Sequence, residues 1–368
     1  MLPSAFVRID ALPLTPNGKP DRQALPPPEG AANVHHAYEA PQGKIETMLT
    51  EIWSELLGLK CVSRHDNFFE LGGHSLLAVR MISRIHAELG IDLALKILFE
   101  SPSIVRLASQ IERKGDIHGD SFNVLLPIQP KGNRSPLFCI HPAVGLSWSY
   151  FGLSKHLGPE QPIYGLQARG HNGKAPFAEN IEDMASDYLS QIRSIQLKGP
   201  YYLLGWSFGG IVAHSIAILL QQQNEKVALL ALIDSTLAYF HQRNQLNMNQ
   251  LSTYVQLPRY SVNDYSDSGE ELWEKVRGVV ENNLKMAKKH SLMIYYGNVL
   301  FFRVTVPEED QLLITPDMLK PYIVGAIDTR HIYCKHSDMD KPGPIAEIGH
   351  TLAKKLKQET FTYLKSRY

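Results

Sequence analysis

The pentapeptide GWSFG, residues 205–209, has the G-x-S-x-G pattern of a serine nucleophile, with Ser207 at its centre. An apolar run, YYLLG, precedes it, and a helix-forming run, GIVAHSIAILLQQQ, follows it. In this context the glycines allow a strained turn that exposes the serine hydroxyl, and the start of the helix offers N–H groups and a positive dipole to an oxyanion. The alternative is a tight glycine turn without chemistry. The context favours a nucleophile that attacks a carbonyl carbon.

An acid that orients a catalytic histidine is expected to follow the serine in the chain. The apolar run KVALLALID ends in Asp234, and a carboxylate at the end of the neighbouring strand would lie at the same edge of a sheet as Ser207. Asp234 is therefore the predicted acid. Aspartate also caps the ends of elements, so a structural role is the alternative. Competing acids follow the later run VLFFRVTV: Glu308, Glu309 and Asp310.

Two of the six histidines that follow Ser207 are candidates for the general base. The run DTRHIYC predicts a strand that contains His331, whereas KHSDMDKPG puts His336 in the loop after it. A base that moves a proton between the serine and a leaving group belongs on such a loop, which favours His336. The others lie on the helix after Ser207, in a predicted lid or on the last helix: His214, His241, His290 and His350.

An oxyanion hole requires two N–H donors near the nucleophile. The N–H of Phe208, directly after the serine, is the first. The second should come from the loop after an early strand, and FCIHPAVG fits that description. We expect Ala143 to supply it, with Val144 as the next choice.

A second serine, Ser75, stands in the run DNFFELGGHSLLAVR, residues 66–80. It follows two glycines at the start of a predicted helix, where backbone donors and the helix dipole favour a phosphate group. By physical chemistry alone, a plain helix cap is the favoured interpretation.

The elements that would position these residues fall into several segments. Residues 1–41 are rich in proline and turn pairs, so they exclude a long helix or a central strand and are typical of a tail or linker. Residues 42–113 carry amphipathic patterns that predict a small all-α bundle of the four-helix type. The predicted helices run from Gly43 to a stop at Gly58, from Ser75 to Leu89 and from Ser103 to Glu112.

A polar linker, residues 114–121, separates this bundle from a larger α/β region, residues 122–368. Near-continuous apolar runs alternate with helical segments there, which predicts a parallel sheet covered on both faces, an α/β-hydrolase domain. A polar, partly helical segment at about 239–296 interrupts the run of strands and is predicted to be a helical lid. An ordinary surface excursion is the alternative.

Composition limits the partners and the compartment. Lys+Arg 37 and Asp+Glu 37 give no net charge, so no global field attracts nucleic acid or an anionic membrane. Three widely separated cysteines form no disulfide framework and no zinc pattern, and Cys139 and Cys334 fall on apolar strands as core residues. The N-terminus lacks a signal-peptide pattern and no apolar run is long enough to span a bilayer, so we expect a cytoplasmic protein.

The motifs together resemble one family. LGGHSL closely resembles the attachment motif of peptidyl carrier proteins in non-ribosomal peptide synthetases, where the serine, here Ser75, accepts 4'-phosphopantetheine. LPLTPNGKPDRQALP resembles the last motif of an adenylation domain, whose lysine is Lys19, with Pro20 in place of the usual branched aliphatic residue. From about Val124 the chain resembles the type I thioesterase domain of these assembly lines, most closely that of the enterobactin type.

This resemblance implies a carrier–thioesterase pair. Ser75 would present an acyl thioester on its phosphopantetheine arm, and Ser207, with His336 and Asp234, would take the acyl group before hydrolysis or cyclisation releases it. A phosphopantetheinyl transferase and upstream condensation and adenylation domains are the implied partners. About forty residues cannot form a nucleotide site, so Lys19 is orphaned here, no amino-acid activation is expected, and we interpret the chain as the carboxyl-terminal piece of a larger synthetase.

Two other functions remain open from the residues alone. A free-standing esterase or lipase would act on diffusing esters and ignore Ser75. A docking module with a degenerate hydrolase would not need Ser207. The GGHS motif disfavours the free-standing esterase, and the presence of a serine, an acid and a histidine disfavours the docking module.

Overall fold

The computed structural model describes residues 38–73, 75–91, 93, 95–114, 122–171, 175–235, 267–307 and 313–365. The chain divides into two compact units. The smaller comprises Met1–Gly73 and Glu100–Gly115, and the larger comprises His74–Phe99 and Asp116–Tyr368. These units do not follow the domain boundaries expected from the sequence. The expected boundaries stay a prediction.

The smaller unit contains α1, Gly43–Leu57, and α4, Ile104–Lys114, packed against each other. The predicted stop of α1 is confirmed, because Gly58 takes a left-handed conformation with φ of 66°. Trp53 and Phe68 meet edge to face, with ring centroids 5.1 Å apart, and both are fully buried. Arg64 bonds the carboxylate of Glu46 through two nitrogens, at 2.8 and 2.5 Å, which lowers the pKa of that carboxyl group.

The larger unit begins with α2, Ser75–Leu89, and α3, Leu95–Glu100. The bounds of α2 are those expected, whereas α3 is an additional helix that the sequence patterns did not indicate. Ser75 is the first residue of α2. The described residues between 42 and 113 thus contain four helices, but their packing as one four-helix bundle stays a prediction.

A seven-stranded sheet forms the centre of the larger unit, in the order β1-β3-β2-β4-β5-β7-β9. Its strands are β1 Leu125–Gln129, β2 Leu137–Ile140, β3 Ile163–Leu166, β4 Tyr201–Trp206, β5 Val227–Ile233, β7 Val299–Val304 and β9 Ile327–Ile332. All neighbours are parallel except β1 and β3. The expectation of a purely parallel sheet is therefore wrong at this edge, where β1 runs antiparallel.

Helices cover the sheet. They are α5 Ser154–Leu157, α6 Ile181–Ile195, α7 Phe208–Gln222, α8 Asp267–Lys289 and α9 Pro342–Lys365. Helix α7 contacts β2, β4 and β5, and α6 packs on α7, while α9 contacts β5 and β9. Successive residues of β5 point to opposite faces, and Leu229 to Ile233 are all buried, so both faces of this strand are covered.

Helix α8 lies in the chain between β5 and β7, in the segment expected to be a lid. The sequence pattern indicates a helix from Glu270 to Lys289, and α8 includes these residues. Residues 236–266 of the lid segment lie outside the described residues. A two-stranded sheet follows, formed by β6, Tyr295–Tyr296, and β8, Ile323–Val324. One apolar face of α8 is buried in the same core as α6 and α7.

Candidate active site

Ser207 occupies the turn between β4 and α7, as the motif predicts. Its φ of 55° and ψ of −120° are strained for a residue with a side chain. Two hydrogen bonds hold the turn: the N–H of Ser207 donates to the carbonyl of Ile233 at 2.9 Å, and the hydroxyl of Ser235 donates to the carbonyl of Ser207 at 2.7 Å. The serine is thus fixed between the end of β4 and the end of β5.

Gly209 allows α7 to begin close to the end of β2. A Cβ atom at this position would lie 2.4 Å from the carbonyl oxygens of both Ile140 and His141, which are backbone atoms and cannot move aside. The second glycine of the motif is therefore required by this approach as well as by the turn. It brings the first turn of α7 against the segment that leads into the predicted oxyanion loop.

Asp234 and His336 meet, although they are distant in the sequence. The Nδ1 of His336 lies 2.7 Å from Oδ2 of Asp234, and the two residues are 9% and 1% exposed. Asp234 follows β5 directly, and its N–H donates to the carbonyl of Phe302 at 2.7 Å. His336 opens a short 3-10 helix, His336–Asp338, after β9. In a neutral imidazole, an N–H on Nδ1 that donates to a carboxylate leaves Nε2 without a proton, and this is the tautomer that a general base requires.

The imidazole of His336 lies beside the nucleophile turn. Its ring centroid is 5.7 Å from that of Trp206, the residue immediately before Ser207. The structure thus brings three of the predicted residues to the carboxyl-end edge of the sheet: Ser207 after β4, Asp234 after β5 and His336 after β9.

The predicted oxyanion donors lie in two neighbouring segments, the first turn of α7 and the turn after β2. Phe208 is the first residue of α7, so its N–H precedes the helical hydrogen-bond ladder. Ala143 lies in a turn after β2, closed by the N–H of Gly145 donating to the carbonyl of Pro142 at 2.9 Å. His141, just before this turn, stacks on Phe208 with ring centroids 5.7 Å apart.

His141 is a buried residue that the motif analysis did not single out. Its Nδ1 lies 2.7 Å from the carbonyl oxygen of Pro142, and its Nε2 lies 2.6 Å from the hydroxyl of Tyr188. Burial lowers its pKa to about 3. Ser235 was also missed, and the signal for it was its position next to Asp234 in the word IDS.

The other candidates of the sequence lie elsewhere. His331 is on β9 and exposed, as expected, and His214 is buried in α7 with Nε2 3.3 Å from the carbonyl oxygen of Tyr322. Cys139 is buried in β2, but Cys334 is buried in the bend after β9 and not in a strand, as had been expected. Lys19, His241 and the competing acids Glu308, Glu309 and Asp310 lie outside the described residues.

Within the described ranges, no cluster of histidine, cysteine, aspartate and glutamate side chains could hold a metal ion. Across the same part of the chain, no helix is long and apolar enough to cross a membrane.

Comparison with protein families matches residues 48–111 to the phosphopantetheine attachment site and residues 135–282 to the thioesterase domain. Malpibaldin synthetase of Mortierella alpina is 47% identical over 362 residues, which cover 97% of this chain and 6% of that protein. Enterobactin synthase component F of Escherichia coli (strain K12) is 29% identical over 95% of this chain and 27% of that protein.

Among solved structures, a four-domain nonribosomal peptide synthetase bound to AMP and glycine shares the fold, with a TM-score of 0.53 and 23% identity. The match covers 96% of this chain and 29% of that chain. The chain therefore spans a small part of the length of the relatives that it matches.

Proposed function

The chain belongs to the non-ribosomal peptide synthetases, as a segment in which a phosphopantetheine carrier precedes a thioesterase domain, and on this basis we propose that Ser207 takes an acyl group from an arm on Ser75. The observation that carries the proposal is the bond between His336 and Asp234 beside the turn of Ser207. It supports a serine hydrolase triad whose serine and acid lie in the segment that matches thioesterases.

In the first step, Oγ of Ser207 attacks the thioester carbonyl while Nε2 of His336 takes the hydroxyl proton. The C–S bond then breaks, and His336 passes the proton to the sulfur of the arm. Asp234 keeps the imidazole in the required tautomer and stabilises its charged form. Its near-complete burial and its 2.7 Å bond support this role.

The negative charge that develops on the carbonyl oxygen requires fixed donors. The N–H of Phe208 and an N–H of the Ala143–Val144 turn are the proposed donors. The contact between His141 and Phe208, which joins the two segments, supports this pairing.

In the second step, water or a nucleophile within the acyl chain attacks the oxyester on Ser207. His336 accepts the proton of that nucleophile and returns one to the serine oxygen as the C–O bond breaks. Attack by water gives hydrolysis, and attack by a nucleophile within the acyl chain gives cyclisation.

The carrier makes this transfer intramolecular. Ser75 is the first residue of α2, a position where helix N–H groups favour a phosphate ester. A phosphopantetheinyl transferase would attach the arm, whose thiol carries the acyl group as a thioester. Tethering then replaces tight substrate binding by a high effective concentration. In a free-standing esterase, the domain matched at residues 48–111 would have no role in the reaction.

A measurement of intact mass tests the proposed roles of Ser75 and Ser207 in one experiment. The native chain, Ser75→Ala and Ser207→Ala are incubated with a phosphopantetheinyl transferase and an acyl-coenzyme A. We expect the arm to add to the native chain and to Ser207→Ala but not to Ser75→Ala. The acyl group should persist on Ser207→Ala and disappear from the native chain.

Two other serines provide matched controls: Ser83, on the same helix as Ser75, and Ser190, which is exposed on α6. Alanine at either position should leave loading and release as in the native chain. Loading of Ser75→Ala would exclude the carrier role, and equal release from Ser207→Ala would exclude the triad.

A further inference from the structure

An asparagine on α8 bonds the backbone of the predicted oxyanion loop. The side-chain nitrogen Nδ2 of Asn283 donates to the carbonyl oxygen of Ala143 at 2.9 Å, and Asn283 is 1% exposed. Because this bond is buried and Ala143 is only 8% exposed, loss of the donor would leave a buried carbonyl without this partner.

The bonded carbonyl belongs to the central peptide of a four-residue turn. Pro142 to Gly145 form this turn, closed by the hydrogen bond from the N–H of Gly145 to the carbonyl of Pro142. The common turn types I and II differ by a flip of their central peptide, here the one that joins Ala143 to Val144. In a trans peptide the carbonyl and the N–H point in opposite directions. The bond from Asn283 therefore also fixes the direction of the Val144 N–H, which points away from Asn283.

Helix α8 touches the same turn at a second point. A Cβ atom at Gly145 would lie 2.5 Å from Cγ1 of Val279, one helical turn before Asn283, so the side chain of Val279 packs directly on the backbone of the turn. Gly145 also has a φ of 80°, which a residue with a side chain rarely adopts.

We propose that Asn283 is a positioning residue for the oxyanion hole. It selects the orientation of the Ala143–Val144 peptide in which the N–H of Val144, rather than that of Ala143, serves the reaction. This inference rests on the proposed function, because it assumes that Ser207 forms a tetrahedral intermediate. Asn283 touches neither the serine nor the acyl group in this role; it acts through the turn.

The placement of α8 makes this contact a link between the lid segment and the reaction centre. Val276, Val280 and Leu284 of α8 are buried in the core that α7 shares. After the helix, His290 lies 3.0 Å through Nδ1 from Glu182 and 3.2 Å through Nε2 from Ser215. A displacement of α8 would therefore withdraw the donor from the Ala143 carbonyl, so the position of this helix and the competence of the oxyanion hole are coupled.

A fluorophosphonate probe tests the inference without knowledge of the natural acyl group. In this reaction the Oγ of Ser207 bonds to phosphorus, the P–F bond breaks, fluoride leaves, and His336 takes the hydroxyl proton. The phosphoryl oxygen gains charge in the transition state as a carbonyl oxygen does. The rate constant of labelling is measured by intact mass for the native chain, Asn283→Leu and Asn283→Asp.

Asn282 provides the matched control. It is the neighbouring residue on α8, and its Nδ2 donates to the carbonyl of Ala178 at 2.9 Å, away from the turn. Asn282→Leu makes the same chemical change. We expect labelling of Asn283→Leu to be about 10- to 100-fold slower than that of the native chain, less than the roughly 10²–10³ that complete loss of a donor costs. Asn282→Leu should stay within about twofold of the native rate.

The pH dependence of the Asn283→Asp variant distinguishes a positioning role from a merely structural one. An ionised carboxylate in place of the amide cannot donate, whereas a protonated carboxyl group can donate to the same carbonyl. The rate of Asn283→Asp, divided by the native rate at the same pH, should therefore rise as the pH falls, while the corresponding ratio for Asn283→Leu stays constant.

Native labelling rates for a folded Asn283→Leu, or equal losses in Asn282→Leu and Asn283→Leu, would overturn the proposal. Circular dichroism and the unfolding temperature establish that each variant is folded. Failure of the proposed function gives a different result: the probe would then label the native chain and Ser207→Ala equally.

Discussion

Acidification should destabilise the larger unit through histidines that are buried in their neutral form. Burial lowers the pKa of His141 to about 3 and those of His171 and His214 to about 4, against an ordinary value of 6.5. Since each folded-state pKa lies below the unfolded one, the unfolded chain binds these protons first. The stability from the neutral rings is fully present above about pH 6.5 and is lost as the pH falls towards the folded-state pKa values.

The size of the effect follows from the linkage relation. When the pH falls from about 7.5 to about 5.5, each histidine that has an unfolded pKa of 6.5 and stays neutral in the folded protein lowers the free energy of unfolding by about 1.4 kcal/mol. The three histidines together cost about 4 kcal/mol, a large part of the stability of a typical domain. The result depends little on the folded-state pKa, provided that it lies well below about 5.5.

Urea unfolding of the native chain and of His141→Gln at the two pH values measures this cost. Glutamine retains a polar side chain for the bond to Tyr188, and any constant loss of stability cancels because each variant is compared with itself. The pH-dependent loss should be smaller in His141→Gln by about 1.4 kcal/mol. The control is His331→Gln, which removes an exposed histidine of β9. An equal loss in His141→Gln and the native chain would mean that His141 is charged in the folded protein, and would refute the reasoning.

Three further results are expected. Asp234→Asn should lower kcat for a soluble thioester by about 10³–10⁴ with a small change in KM, because the amide favours the wrong tautomer of the histidine; an unchanged kcat would remove Asp234 from the reaction. Gly209→Ala should lower the free energy of unfolding by about 1–3 kcal/mol, since its Cβ meets two backbone oxygens, whereas Gly343→Ala, with nothing within 4 Å, should not lower it. Glu46→Gln should cost the smaller unit about 1–3 kcal/mol in urea unfolding, because Arg64 loses the buried one of its two carboxylate partners and keeps only the exposed Glu39; a cost below about 0.5 kcal/mol would contradict this.

Local patterns were sufficient to predict the elements that carry the chemistry. The G-x-S-x-G motif predicted the turn of Ser207, and the apolar run before Asp234 predicted the strand that ends there. Both rely on interactions between near neighbours in the chain, and the loop position of His336 relies on the strand before it.

Features that depend on distant partners could not be predicted. Strand β3, Ile163–Leu166, is a short run whose strand state comes from its neighbours β1 and β2. Helix α3 has only six residues, and its sequence, LKILFE, has no distinct period. The bond from Asn283 to Ala143 joins residues that no local pattern relates. The roles assigned to Ser75, Ser207, Asp234 and His336 stay predictions, which the experiments above test.

The order of the strands also determines when the site can exist during synthesis. Ser75 and Ser207 leave the ribosome long before β9, the strand that pairs with β7 at the edge of the sheet and is followed by His336. If Ser207, Asp234 and His336 form the proposed triad, a growing chain that has folded as far as β7 possesses the proposed nucleophile and acid but not the proposed base. On the same proposal, such a nascent chain would accept an arm on Ser75 but could not release an acyl group until translation has passed β9.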